Sequence, residues 1–333
     1  VEEPDPALKV FSGDKVVAVT GASGFLGRHL VASLHERPDV GLRVLVHRRQ
    51  PSLAMDDDRI RTVPGDLLTP NGLDLLLAPD CTVIHLAYSG SSSGPENLKA
   101  ASNLADACAK ARIRRLVHCS TAVVAGRVGD DLINENTRCR PAPGYESTKF
   151  EMERIFAEKA AGRFELAILR PAAVFGPGGR NLLKMADDLK SGNRVMNYLK
   201  SCLFDQRPMN LVSVGHVVSA LTFLAFAERK WNGDVFIVSD DDHPWNTYRN
   251  VEKYLMKAMG RGDYPVPRFP LPAFVLSVML RIKGRSNSNP QRRYDAGKLR
   301  AAGFQNTVSF EAGLKAFADW YRRRPADPAI QNS

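Results

Sequence analysis

The fold can be read from Val16-Val17-Ala18-Val19-Thr20-Gly21-Ala22-Ser23-Gly24-Phe25-Leu26-Gly27. The first five residues form the apolar, β-branched run that a strand buried on both faces requires. Glycines follow at intervals of three, and residues 25–36 then carry the apolar spacing of a helix. Glycine at these places lets the chain turn tightly and lets its backbone approach a pyrophosphate. The free N–H groups and positive dipole end of a helix N-terminus attract the same charge. A glycine triplet alone also suits a purely structural turn. The strand before it and the helix after it favour a dinucleotide site at the first turn of a sheet. Gly21, Ser23, Gly24, Phe25, Leu26 and Gly27 are its candidate contacts.

Working outward, short Val/Ile/Leu-rich runs at 16–20, 43–47, 60–63, 82–86, 115–120 and 165–170 alternate with helical stretches at 25–36, 94–111 and 145–161. This alternation predicts an α/β chain with a Rossmann-like, doubly wound parallel sheet. Beyond Gly176 the pattern loosens into a helix near 181–190, a strand near 210–213, a helix at 216–227, a strand at 235–239 and further helices. The expected organisation is a dinucleotide-binding domain over 1–176, to which 210–239 returns, and a smaller, mostly helical substrate lobe over 177–333. Residues 271–276 read as a core helix within that lobe.

In a doubly wound sheet the C-terminal ends of the strands border the ligand. The second strand ends in His47-Arg48-Arg49, where an NAD enzyme would carry a carboxylate for the ribose hydroxyls. Two guanidinium groups there suit the 2′-phosphate of NADP, so NADP is the expected cofactor and NAD the alternative. Asp66 and Leu67 fall near the adenine, and Leu86-Ala87 end the fourth strand beside the cofactor. Ser120 and Thr121 end the fifth, where hydroxyls reach a reacting carbonyl oxygen. Pro171 and Val174 mark the exit of the sixth. Tyr145 and Lys149 lie four apart on one helical face, so the ammonium is expected to lower the phenol from its ordinary value near 10 and make it a proton donor and acceptor. The same spacing at Tyr294 and Lys298 lies far from the nucleotide half and reads as structural.

Composition removes other classes. The net charge is +10, but the basic residues are scattered and lack interleaved aromatics, so nucleic-acid binding is not expected. Five cysteines with no Cys-x-x-Cys pair argue against a disulfide framework and a metal site and favour a cytoplasmic setting. No apolar run reaches the roughly 18 residues of a membrane span, and no secretory leader is recognisable. Nothing in the sequence forbids a homodimer.

Taken in order, these segments resemble the extended short-chain dehydrogenase/reductases, the NAD(P)-dependent epimerase/dehydratase family. The likeness runs from Thr20-Gly21 through Gly65-Asp66-Leu67, Val83-Ile84-His85-Leu86-Ala87, Ser120-Thr121, Tyr145/Lys149 and Arg170-Pro171 to the closing Ser309-Phe310-Glu311-Ala312-Gly313-Leu314. The resemblance implies catalysis by Thr121, Tyr145 and Lys149, with Lys149 also on the nicotinamide ribose. Ala122-Val123 follows Thr121 where dehydratases of the family carry Asp-Glu, so loss of water is not expected. The leading expectation is a reductase or epimerase of a nucleoside-diphosphate sugar, held by Ser120, Asn181, Arg207, Arg292 and Arg293. An alternative is a sterol or other apolar-alcohol dehydrogenase. A second is a cofactor-sensing protein without turnover.

Overall fold

The computed structural model describes residues 15–47, 58–69, 71–269 and 289–324. Seven parallel strands make the central sheet. They are β1 (Lys15–Thr20), β2 (Val40–Val46), β3 (Ile60–Pro64), β4 (Thr82–His85), β5 (Arg115–Cys119), β7 (Glu165–Pro171) and β10 (Asn232–Val238). Their spatial order is β10-β7-β5-β4-β1-β2-β3. The chain winds outward from β1 in one direction and then restarts at β4 in the other. Thr20 and His85 therefore stand side by side at the switch point, the place at which doubly wound sheets bind their ligands.

Helices cover both faces because the strands are apolar on both. The helices α1 (Phe25–His35) and α7 (Val214–Phe226) share one core with β1, β2 and β10. On the other face α2 (Leu73–Leu76), α3 (Gly94–Ala111) and α4 (Tyr145–Ala160) enclose Val83, Leu104, Leu116, Met152 and Phe156. Helix α3 starts at a reciprocal cap in which Ser93 and Glu96 satisfy each other's backbone N–H groups.

A third core belongs to the smaller lobe. There α5 (Leu183–Ser191), α8 (Tyr248–Ala258) and the helix Phe310–Arg323 gather around Phe175, Leu182 and Leu211. Expectation and structure differ here. Strand β9 (Leu211–Ser213) does not enter the large sheet but pairs with β8 (Ala173–Phe175). The helix α6 (Arg194–Phe204) and the two-residue strands β6 (Leu132–Ile133) and β11 (Arg293–Tyr294) are additions. Residues 271–276 lie outside the described part.

Candidate active site

The turn after β1 is shaped by what lies against it. Gly21 has φ +76, and a Cβ there would stand 2.6 Å from the Ala87 backbone nitrogen and 2.8 Å from the Leu86 carbonyl carbon. Only glycine lets the turn sit so close to the end of β4. Helix α1 then begins with no side-chain cap and no acidic residue in its first turn. Ser23 and Gly24 are exposed. Phe25 packs over the turn after β8, where a Cβ on Gly179 would come within 2.7 Å of its ring. An uncapped helix end behind a close-packed glycine turn fits a dinucleotide pyrophosphate.

Around this turn, Asp66 accepts the Leu68 N–H at 3.0 Å and places its other oxygen 3.5 Å from His47 Nε2. Leu67 is buried. Arg48 and Arg49 lie outside the described residues. Pro171 closes β7, and Val174 offers its carbonyl to Asn181 Nδ2 at 2.6 Å.

The candidate catalytic groups meet above β5. In α4, Tyr145, Lys149 and Glu153 recur every four residues on one face. Glu153 makes a two-pronged ion pair with Arg170 of β7, at 2.6 and 3.0 Å, which fixes the helix against the sheet. Lys149 is buried and donates to the Cys119 carbonyl at 2.9 Å, with its charge 5.2 Å from the centre of the Tyr88 ring. Tyr88 in turn meets Tyr145 edge-on at 5.1 Å. The Thr121 side chain lies close enough to the Tyr145 hydroxyl to favour its ionised form. Beside it, Ser120 is held by its backbone N–H on the Leu169 carbonyl at 2.7 Å. The Ser120 Oγ is buried with no partner among the described residues, an orphan that a ligand oxygen would satisfy.

The electrostatics correct one expectation. Tyr145 is not lowered by Lys149; burial, followed by repulsion from Cys119, pushes the phenol up to about 12, opposed by the nearby Thr121 side chain. Nearly half of Tyr145's surface remains open, 47 %, so the cause lies in the surroundings of the hydroxyl. Burial also lowers Lys149, though the neighbourhood of Cys119 and Glu153 favours its charge. Beneath it His85 and His118 stack at 5.2 Å in the core. Burial and then the Lys149 charge hold both imidazoles neutral, His85 at about 3.

The candidate substrate arginines separate. Arg292 is buried, and its guanidinium donates to the carbonyls of Gly126, at 2.9 Å, and Val128. It ties the loop after Thr121 to β11, and its Nε, also buried, has no partner among the described residues. Arg293 is exposed, and Arg207 lies 5.7 Å from the centre of the Phe204 ring. Sequence reasoning missed Tyr88 and Asn97. Asn97 bonds the backbone of Ser89 on both sides, at 3.0 Å each, and so shapes the chain between β4 and α3. The signal for Tyr88 was its place directly after Leu86-Ala87.

A parallel sheet with a glycine-rich first turn, a Tyr/Lys helix and hydroxyls at the end of β5 defines a nicotinamide-dependent oxidoreductase of the short-chain type. The model of the NAD dependent epimerase/dehydratase family matches residues 17–236, and the chain belongs to that family. It is 27% identical to a sterol-4-alpha-carboxylate 3-dehydrogenase, decarboxylating, of Candida albicans, over 91% of this chain and 97% of the relative. It is 28% identical to a ceramide reductase of Caulobacter vibrioides, over 92% and 94%. Among solved structures, WbmG of Bordetella bronchiseptica in complex with NAD and UDP superposes with a TM-score of 0.71 at 19% identity, covering 92% of this chain and 93% of that one.

Proposed function

We propose that the protein is a dehydrogenase or reductase that interconverts an alcohol and a ketone in an apolar, lipid-class substrate. The observation that carries the substrate class is the surface beside Thr121. Val123 is exposed there, and the buried Arg292 is committed to framework carbonyls. The relatives named for sterol and ceramide substrates support the same class. When bound, the nicotinamide supplies or accepts the hydride. Ser120 and Thr121 orient the substrate oxygen, and Tyr145 gives it a proton in reduction or takes one in oxidation. Lys149, anchored on Cys119, holds the ribose.

A second reading, a reductase or epimerase of a nucleoside-diphosphate sugar, rests on the exposed Arg293, on Arg207, and on the UDP bound in WbmG. The preferred cofactor is NADP, because His47-Arg48-Arg49 follow β2 in the sequence and the Asp66 carboxylate faces His47. Turnover of a 3-hydroxysterol, a keto-ceramide and UDP-glucose with each cofactor tests both points. Oxidation of the sterol or reduction of the ceramide with NADP(H), and none of the sugar, is expected. Turnover of UDP-glucose alone, or loss of neither cofactor's affinity in Arg48→Ala/Arg49→Ala, contradicts the reading.

A further inference from the structure

Helix α6 is inverted. It buries Asn197, Ser201 and Cys202 and exposes Val195 (67%), Met196 (52%) and Leu199 (52%). The loop at 265–269 flanks the same helix, because Tyr198 donates to the Pro267 carbonyl and Arg268 Nε to Ser201 Oγ, both at 2.7 Å. It adds Val266 and Phe269, 50% and 68% exposed. Single exposed apolar residues are ordinary, but a contiguous set marks an interaction surface.

The edge of this patch is basic. At the start of α6, Arg194 donates to the carbonyls of Gly262 and Asp263, and Arg261 to that of Lys190. These contacts place the Arg194 and Arg261 guanidinium groups on backbone oxygens, which leaves their charge uncompensated in those bonds, while the Lys190 ammonium lies 5.7 Å from the centre of the Tyr321 ring. Asp263 is engaged by Arg268 at 2.7 Å, and Asp188 by Lys200 at 2.7 Å. A second copy of the chain docking face to face would set two such clusters against each other, a like-charge repulsion. An anionic surface would be attracted. In sequence, Phe269 is followed by Pro270 to Leu280 without a charged residue and then by Arg281, Lys283 and Arg285. No helix of the described residues is long and apolar enough to cross a membrane.

We infer that the exposed face of α6 and the loop 265–269 seat this protein on an anionic lipid surface. Val195, Met196, Leu199, Val266 and Phe269 enter the boundary between headgroups and acyl chains, and Arg194 and Arg261 meet the lipid phosphates. The inference goes beyond the substrate reading, although it places the enzyme where an apolar substrate resides. Binding is measured without substrate, so its failure leaves the catalytic reading standing.

The experiment is sedimentation of the full chain with vesicles of phosphatidylcholine, alone or mixed with phosphatidylglycerol, over a range of salt. Wild type is expected to bind the anionic vesicles and to release as salt rises. Val195→Asp/Leu199→Asp should weaken binding at least ~10-fold, and Arg194→Ala about fivefold, with melting temperature and NADP affinity unchanged. Absence of wild-type binding to the mixed vesicles overturns the inference, as does equal binding by all variants. If wild type ignores vesicles and the double variant changes from dimer to monomer, the face joins two copies. If wild type ignores vesicles and the double variant melts lower as a monomer, the patch is covered by the chain itself.

Discussion

Tyr145 decides whether the site is catalytic. A phenol held near 12 is fully protonated at ordinary pH, which suits it to donate to a substrate oxygen that gains a hydride. Reduction should therefore show no ionisation of Tyr145 across the neutral range, whereas oxidation, which needs a proton acceptor, should quicken as pH rises. Rate profiles in both directions check this. Tyr145→Phe should lower kcat by at least about 100-fold with cofactor affinity nearly unchanged; parental turnover in that variant would remove Tyr145 from the chemistry. A second residue carries a stability signature. Burial pushes Asp241 up to about 6, although it accepts bonds from the Tyr294 N–H, Asn210 and Asn246. Between the unfolded and folded values the native state holds the extra proton. Its contribution, up to about 3 kcal/mol, is thus complete below pH ~4 and lost as pH rises through 6. Denaturant titrations from pH 4 to 7 should show this decline in wild type and a flatter profile in Asp241→Asn.

At the scale of elements, α4 is held where its chemistry needs it by Glu153 on Arg170. Both partners are buried, so Glu153→Ala leaves an uncompensated guanidinium and should cost about 3–5 kcal/mol in chemical unfolding. A loss under 1 kcal/mol would show that water reaches Arg170. What could be read from the sequence follows the same physics. Helix α3 was legible to its ends, 94 and 111, from its long periodic stretch alone. Helix α6 was not, because its apolar residues face outward and its polar ones inward, contrary to the pattern on which such reading relies. Strands β6, β8 and β11 have two or three residues, too few to show a period. At the site, the residue types and spacing of Thr121, Tyr145 and Lys149 could be read, but not the Cys119 carbonyl or the Tyr88 ring that receive Lys149. Those partners depend on how β4 and β5 lie beneath α4. Sequence also cannot tell a buried arginine from a solvated one. Arg115, one of a basic group, is fully buried on Glu165 and on the carbonyls of Leu224, Ala225, Ala227 and Arg229.

Over the whole molecule, the question is whether the two cores of the sheet and the core of the smaller lobe unfold as one. Only Ala172 separates the end of β7 from β8, whose Phe175 is fully buried in the smaller lobe's core and packs on Phe310 at 5.4 Å. Gly313 faces both Phe175 and Ser213, and a Cβ there would come within 2.7 Å of the Ser213 side chain. Packing that close leaves no compliant linker at which the lobes could part. The candidate dinucleotide contacts lie mainly on β1, β4, β5 and α4, yet the stabilisation should pass to both lobes. At 100 times its Kd, NADP(H) should add about 2.7 kcal/mol to the folded state and raise a single calorimetric transition by a few degrees. Two transitions, of which only one moves with the cofactor, would show that the smaller lobe folds by itself and that the contacts of Phe175 and Gly313 do not couple it to the sheet.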